Sequence, residues 1–256
     1  MNRFPVFLTP LLLIGFIMTL GNREVRAEES IEALVDSITA NAWRSESENA
    51  LQSFRIKSTS QMVNGDGDVK HEDISWQLVE LRSDGSRTIH TTDEFGEPLP
   101  DEVPQELGAD GRPVKQGKPD EDDEEKDEVT AQVGPLDPFQ EENRANHRFT
   151  RLPDPAPGQT AIQTEVIDEE TGGFEGTYIF DKTSWAPLSL TGHPVPLPDK
   201  KVKSMEMSIE YQLYGDGYSF PKRVVSDVTA KWLLFKFNAH MEQDFFDMIP
   251  REVETE

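Results

Sequence analysis

From Ser30 onward, Ile31, Leu34, Val35, Ile38 and Ala42 recur at helical spacing. One apolar stripe over about three turns predicts an amphipathic helix. After it the period falls to two. Phe54 and Ile56 alternate with polar neighbours, and Asn64-Gly65-Asp66-Gly67-Asp68 then predicts a hairpin turn, because Asn and Gly tolerate the positive φ of tight turns. The returning strand carries Ile74, Trp76 and Leu78 on one face, and Asp84-Gly85 turns the chain into a short strand around Arg87 to Thr91. Strand patterning resumes after Pro157 with Ile162, Thr164 and Val166, then Phe174, Tyr178 and Phe180, then a strand around Ser184 to Leu190. The strictest alternation is Met205, Met207, Ile209, Tyr211 and Leu213 against Ser204, Glu206, Ser208, Glu210 and Gln212, which requires one buried and one wet face. A turn at Tyr214-Gly215-Asp216-Gly217-Tyr218 leads to Phe220, Val224 and Val228. A last strand places Leu233, Phe235, Phe237, Ala239 and Met241 on one side.

Between about Asp93 and Pro157 the pattern breaks, and ten of the eighteen prolines fall there. Asp93 to Glu128 holds fifteen acids and four bases, so much of the chain's acidity is local. With little apolar surface to bury, residues 93–157 read as a long, flexible, acidic insertion. Its end, from Gly134 to Phe149, reads as a proline-started turn and short helix. The insertion is a solvated loop on the plain reading, or an acidic docking arm or weak divalent-cation site on the functional one.

The N-terminus reads as an export address. Arg3 precedes an uncharged run from Phe4 to Asn22, and Val25 and Ala27 have the small-residue spacing of a signal-peptidase site. Cleavage after Ala27 assigns residues 1–27 to a signal peptide and 28–256 to a single domain of charge −26, against −24 for the whole chain. A retained anchor is the competing reading, since the run approaches the ~20 residues that span a bilayer. Pro5 and Pro10 interrupt it, which favours cleavage. The expected location is the periplasm, with secretion as the alternative, and no stable membrane anchor after cleavage.

Composition narrows the chemistry. The 256 residues include 49 acids, 25 bases and no cysteine. Disulfide frameworks, cysteine-held metals, thiol catalysis and a cysteine lipid anchor are thereby excluded. A phosphate-backbone binder needs a basic face, so nucleic acid is not an expected partner. The Asn64–Asp68 turn is no calcium loop, because Val69 and Ser75 stand where glycine and glutamate are needed. His71, His90, His147, His193 and His240 are scattered singly, each expected at a surface or strand edge. Neither a Gly-x-Ser-x-Gly elbow nor a phosphate-cradling loop is present. The expectation is a non-enzyme without metal or other cofactor; carboxylate catalysis has no support beyond the abundance of acids.

Eight or nine strands joined by tight turns, with a single helix, predict an α+β fold: a strongly curved antiparallel sheet, a half-barrel, wrapped around the N-terminal helix. The helix is too short to cover so wide an apolar face. The surplus defines a candidate cavity face for an apolar guest: Trp76, Leu78, Tyr178, Phe180, Met205, Met207, Ile209, Tyr211, Phe235 and Phe237. Methionines suit irregular apolar ligands, and ordinary core packing is the plain alternative at each position.

Two stretches carry a family resemblance. Gly176-Thr177-Tyr178-Ile179-Phe180-Asp181 runs into Trp185-Ala186-Pro187-Leu188, and Tyr211 precedes Gly215-Asp216-Gly217-Tyr218 and Phe220-Pro221-Lys222-Arg223-Val224. With the order of leader, helix, hairpins and insertion, the chain resembles the periplasmic outer-membrane lipoprotein carrier and receptor family, the unclosed half-barrel lipoprotein-sorting proteins. The resemblance implies a non-enzymatic binding or transport protein for lipid or lipoprotein acyl chains. It implies equally an envelope sensor or interaction module that docks a protein partner. The arginine that the best-known carriers place inside the cavity has no match here, since Arg55 lies out of phase with Phe54 and Ile56.

Overall fold

The computed structural model describes residues 30–40, 50–64, 68–109, 113–114, 137–214, 218–232 and 235–251. The leader, the acidic run 120–128, Leu233 and the glycines of the turns at 64–68 and 214–218 lie outside them. The described residues form one antiparallel sheet. Its strands are β1 (Leu51–Val63), β2 (Val69–Leu81), β3 (Arg87–Thr92), β4 (Gln105–Leu107), β5 (His147–Leu152), β6 (Gln159–Val166), β7 (Gly173–Asp181), β8 (Pro187–Val195), β9 (Val202–Tyr214), β10 (Tyr218–Trp232) and β11 (Phe235–Pro250). They lie in the order β4-β3-β2-β1-β11-β10-β9-β8-β7-β6-β5, and β4 and β5 do not meet. This is the expected α+β half-barrel, with eleven strands rather than eight or nine.

Helix α1 (Ile31–Ala40) starts at Ser30, whose hydroxyl accepts the Ala33 N–H at 3.2 Å and so satisfies one of the free donors of the first turn. Leu34, Val35 and Ile38 are buried against Ile162, Phe174, Tyr178, Phe180, Leu190 and Ile209. The helix has help that the sequence did not reveal. Phe139 enters the same core, with its ring 5.1 Å from those of Tyr178 and Phe180, edge-on to both. Thr39 donates its hydroxyl proton to the Phe139 carbonyl at 2.8 Å, and Arg144 of α2 (Glu141–Arg144) donates to Asp36 at 2.7 Å.

Residues 137–152, expected within the flexible insertion, thus belong to the core and the sheet. His147–Leu152 is a strand and not the end of a helix, because it finds a partner in β6 through pairs such as Phe149↔Thr164. Farther along, Gly176 and Gly192 face each other across β7 and β8 beneath the Phe174 ring. A Cβ on Gly192 would stand 2.7 Å from that ring and would collide with the Glu175 carbonyl oxygen, so the close approach requires glycine.

A second core of Leu51, Phe54, Val79 and Phe220, with Ile56, Leu81, Tyr214 and Phe245 against it, closes one end of the long strands. Those strands (β1, β2, β9, β10 and β11) have 13 to 16 residues, whereas β5 to β8 have 6 to 9. At about 3.3 Å per residue the long strands overhang the short ones by roughly 13 Å or more.

Candidate functional site

Cross-strand partners share a face, so the register sorts every candidate residue. Ser58, Gln243, Val224, Ile209, Leu190, Tyr178 and Ile162 form one row across seven strands on the helix-covered inner face. The adjacent phase, Trp76, Lys57, Asp244, Arg223, Glu210, Ser189 and Ile179, lies on the outer face. Trp76 and Leu78, assigned from the sequence to the cavity face, therefore project from the opposite side. Pairing fixes this: Trp76 opposes Lys57 and Leu78 opposes Arg55. The inward residues of that part of β2 are Val79 and Leu81. Trp76 is instead packed by an outer-face cluster in which its ring meets Phe246 edge-on at 5.8 Å and the Arg55 guanidinium lies 5.0 Å from the Phe246 ring. Arg55 also donates to Asp247 at 3.2 Å and to the Glu94 carbonyl at 2.9 Å. As its phase required, it faces away from Phe54 and Ile56.

The remaining candidates divide along the inner face. Tyr178 and Phe180 are at most 1% exposed and Ile209 is 7% exposed; they form filled core under α1 and Phe139, with Met207 and Tyr211 packed at its margin. Beyond the helix the face continues along the overhang. There Met205, Val228, Ala239 and Met62 form one row, and Met207, Ser226, Met241 and Ser60 the next. Met62 and Met241 are 46% and 47% exposed. Phe237 adjoins this stretch, opposite Ala230. Phe235 lies in β11, and its side chain is outside the described residues. Met62 and Met241 were not chosen from the sequence, although Met62 keeps the phase of Ile56 and Met241 that of Phe237.

The outer face of the same overhang is polar. Gln61, His240, Asp227 and Glu206 form one of its rows. His240 contacts Asp227 at 2.8 Å, and Arg223 donates to Glu242 at 2.8 Å. That hydrogen bond and charge hold the Glu242 carboxyl below the usual carboxylate range and raise the Arg223 guanidinium. The overhang is thus an amphipathic sheet, charged outside and lined with methionine inside. Between Met207 and Met241, the buried Ser226 hydroxyl has no hydrogen-bond partner among the described residues. A groove of about 420 Å³ in this stretch is lined by the polar phase at Ser204, Glu206, Asp227, Thr229 and Asn238 as well as by Met205, Val228 and Ala239.

Four histidines sit at the strand surface beside acids: His71 with Asp73, His90 with Glu80, His193 with Glu175, and His240 with Asp227 and Glu242. His147 departs from the surface expectation. It is buried, its Nδ1 donates to the Asn143 carbonyl at 2.8 Å and its Nε2 accepts the Phe174 N–H at 3.4 Å, so it braces β5 against β7. Among the described residues no group of three or more acids and histidines is placed to hold a metal ion, and no helix is long and apolar enough to cross a membrane.

No family model and no curated protein sequence matches the chain. Solved structures similar to it include a LolA superfamily protein from Nitrosomonas europaea, 9% identical, with a TM-score of 0.38 over 86% of this chain and 94% of that one. An outer-membrane lipoprotein-sorting protein domain from Vibrio parahaemolyticus is 13% identical, with a TM-score of 0.38 over 87% of this chain and 95% of that one. The MucA/MucB complex of Pseudomonas aeruginosa matches at 10% identity and a TM-score of 0.25, over 85% of this chain and all of the matched one.

Proposed function

We propose that this chain is a non-enzymatic, exported binding protein for lipid or acyl chains, working in the periplasm and seating its guest along Met62, Met205, Met207, Met241 and Phe237. One observation carries the reading: the inner face runs from a filled core onto a methionine-lined stretch that is exposed at Met62 and Met241 and whose reverse side is charged. Exposed apolar area of this kind is unfavourable in water, and flexible thioethers mould to an irregular apolar chain. Native mass spectrometry of residues 28–256, purified from an envelope fraction without detergent and compared with a delipidated sample, tests it. A discrete added mass identified as lipid is expected. A bare mass with no uptake of offered lipids overturns the proposal.

The second reading, docking of an envelope protein, has a separate observation in its favour. Phe95 and Val103 are both 79% exposed beside the short edge strand β4. The turn that presents Phe95 is rigid, since the Asp93 carboxylate accepts the N–H groups of Phe95 and Glu97 at 2.9 Å. On this reading a Phe95→Ser, Val103→Ser variant loses a protein partner in envelope co-purification while its lipid uptake is unchanged.

A further inference from the structure

Three successive rows of the inner face are graded in polarity. Met205, Val228, Ala239 and Met62 form the first, Met207, Ser226, Met241 and Ser60 the second, and Ile209, Val224, Gln243 and Ser58 the third. Neighbouring rows stand two residues apart, roughly 7 Å along the strands. None of these side chains is charged. The polar ones are hydroxyls and one amide, and the Gln243 amide donates to the Ser58 hydroxyl at 3.3 Å. Past Ser60 the second row reaches Asp73 of β2, whose carboxylate lies 2.6 Å from the His71 ring.

Ser226 is the anomaly of the second row. It is 7% exposed, and its hydroxyl has no hydrogen-bond partner among the described residues. Other buried hydroxyls are bonded: Ser219 donates to the Pro187 carbonyl at 2.8 Å and Thr164 to the Phe174 carbonyl at 2.9 Å. Thr92 and Thr160 share the lack, but Thr92 opposes Trp76 on the outer face and Thr160 opposes Phe180 in the filled core. A buried hydroxyl left without a partner is unfavourable, and Ser226 is the one of these three that lies among the methionines. Its cross-strand neighbours, Met207 and Met241, carry unbranched thioethers that can swing aside for a guest and are themselves weak acceptors. What Ser226 needs is therefore an acceptor supplied by the guest. A carboxylate suits the place poorly, since the row continues to Asp73 in a chain of net charge −24. An amide would bring an N–H donor that the thioethers satisfy badly. An ester carbonyl brings an acceptor alone, and no charge.

We propose that the Ser226 hydroxyl donates to the carbonyl of an acyl ester, whose chain lies along the row of Met205 and Met62 and whose alcohol part points toward Ser58 and Gln243. The assignment rests on the acyl-binding reading above, and it narrows the guest to a neutral ester of a long-chain acid. The test is calorimetric titration of residues 28–256 with 1-decanoylglycerol and with 1-O-decylglycerol, the ether that lacks only the carbonyl, repeated on a Ser226→Ala variant. The hydroxyl removed makes no bond within the described residues, so the variant should melt no lower than the parent. The ester should bind the parent about fivefold tighter than the ether, the gain expected of one neutral hydrogen bond. In the variant the two should bind alike, with the ether unchanged. If ester and ether bind equally to the parent, or the preference survives in the variant, the Ser226 site is overturned and acyl binding stands. If neither binds, both proposals fall.

Discussion

The two halves of the inner face use the same alternation to opposite ends. Under α1 the alternating residues are aromatic and β-branched, and they are sealed from two sides, by the helix and by Phe139. On the overhang the same phase carries methionine, alanine and serine, and Met62 and Met241 stand exposed there. Large rigid rings fill a fixed volume and give a well-determined core; flexible thioethers tolerate whatever lies on them. One sheet thus provides both a rigid support and an adaptable surface, and the division falls where the short strands end.

That division can be broken from the rigid side first. Phe180→Ala removes a fully buried ring and should cost about 3–5 kcal/mol, read as a lowered midpoint in urea denaturation. Gly192→Ala forces a methyl group against the Glu175 carbonyl and the Phe174 ring and should cost about 1–3 kcal/mol in the same measurement. The outer face sharpens the contrast: Trp76→Ala removes the edge-on contact with Phe246 and the cation contact with Arg55 and should cost about 1–2 kcal/mol while leaving acyl-probe affinity unchanged. A fall in that affinity would place Trp76 with the guest after all. The paired change Met205→Ser, Met241→Ser should move stability by less than about 1 kcal/mol and yet weaken binding of a decyl-chain probe several-fold.

The smallest effect is acid-dependent. Asp154 is held low by its hydrogen bond to Lys182, and Glu242 by its bond to Arg223. A carboxyl lowered in the folded state contributes stability above its unfolded pKa of about 4, and that contribution disappears as the pH falls through the folded value. Denaturation midpoints should therefore hold between about pH 6 and 5 and decline below about 4. Both pairs are partly open to solvent, so the decline should be slight and should shrink in high salt.

The sequence was most readable where one strand's pattern stood alone. The β9 alternation named its buried face, and Ile209 does meet Leu190 there. The helix was equally plain from Leu34, Val35 and Ile38. Faces that depend on pairing were not readable. β2 has adjacent apolar residues, Leu78 and Val79, so either phase looked inward, and the register with β1 decides for Val79. β5 was invisible for another reason: His147-Arg148-Phe149-Thr150-Arg151-Leu152 has too few apolar residues to announce a strand, and its edge position asks for no more. Phe139 follows two prolines and an aspartate and looked like loop, yet only the assembled core supplies its neighbours.

The sheet order has a temporal consequence. β1 to β4 form one meander and β5 to β10 another, and β11 alone joins them, lying between β1 and β10. The seam pairs Leu51 with Pro250 and Val63 with Asn238, contacts that span most of the polypeptide. Such distant pairings form slowly. Each meander can fold as it emerges, but the molecule becomes continuous only after its last strand is delivered. Until then two incomplete sheets present raw edges, and a helper that shields β1 and β10 would be most useful during that interval.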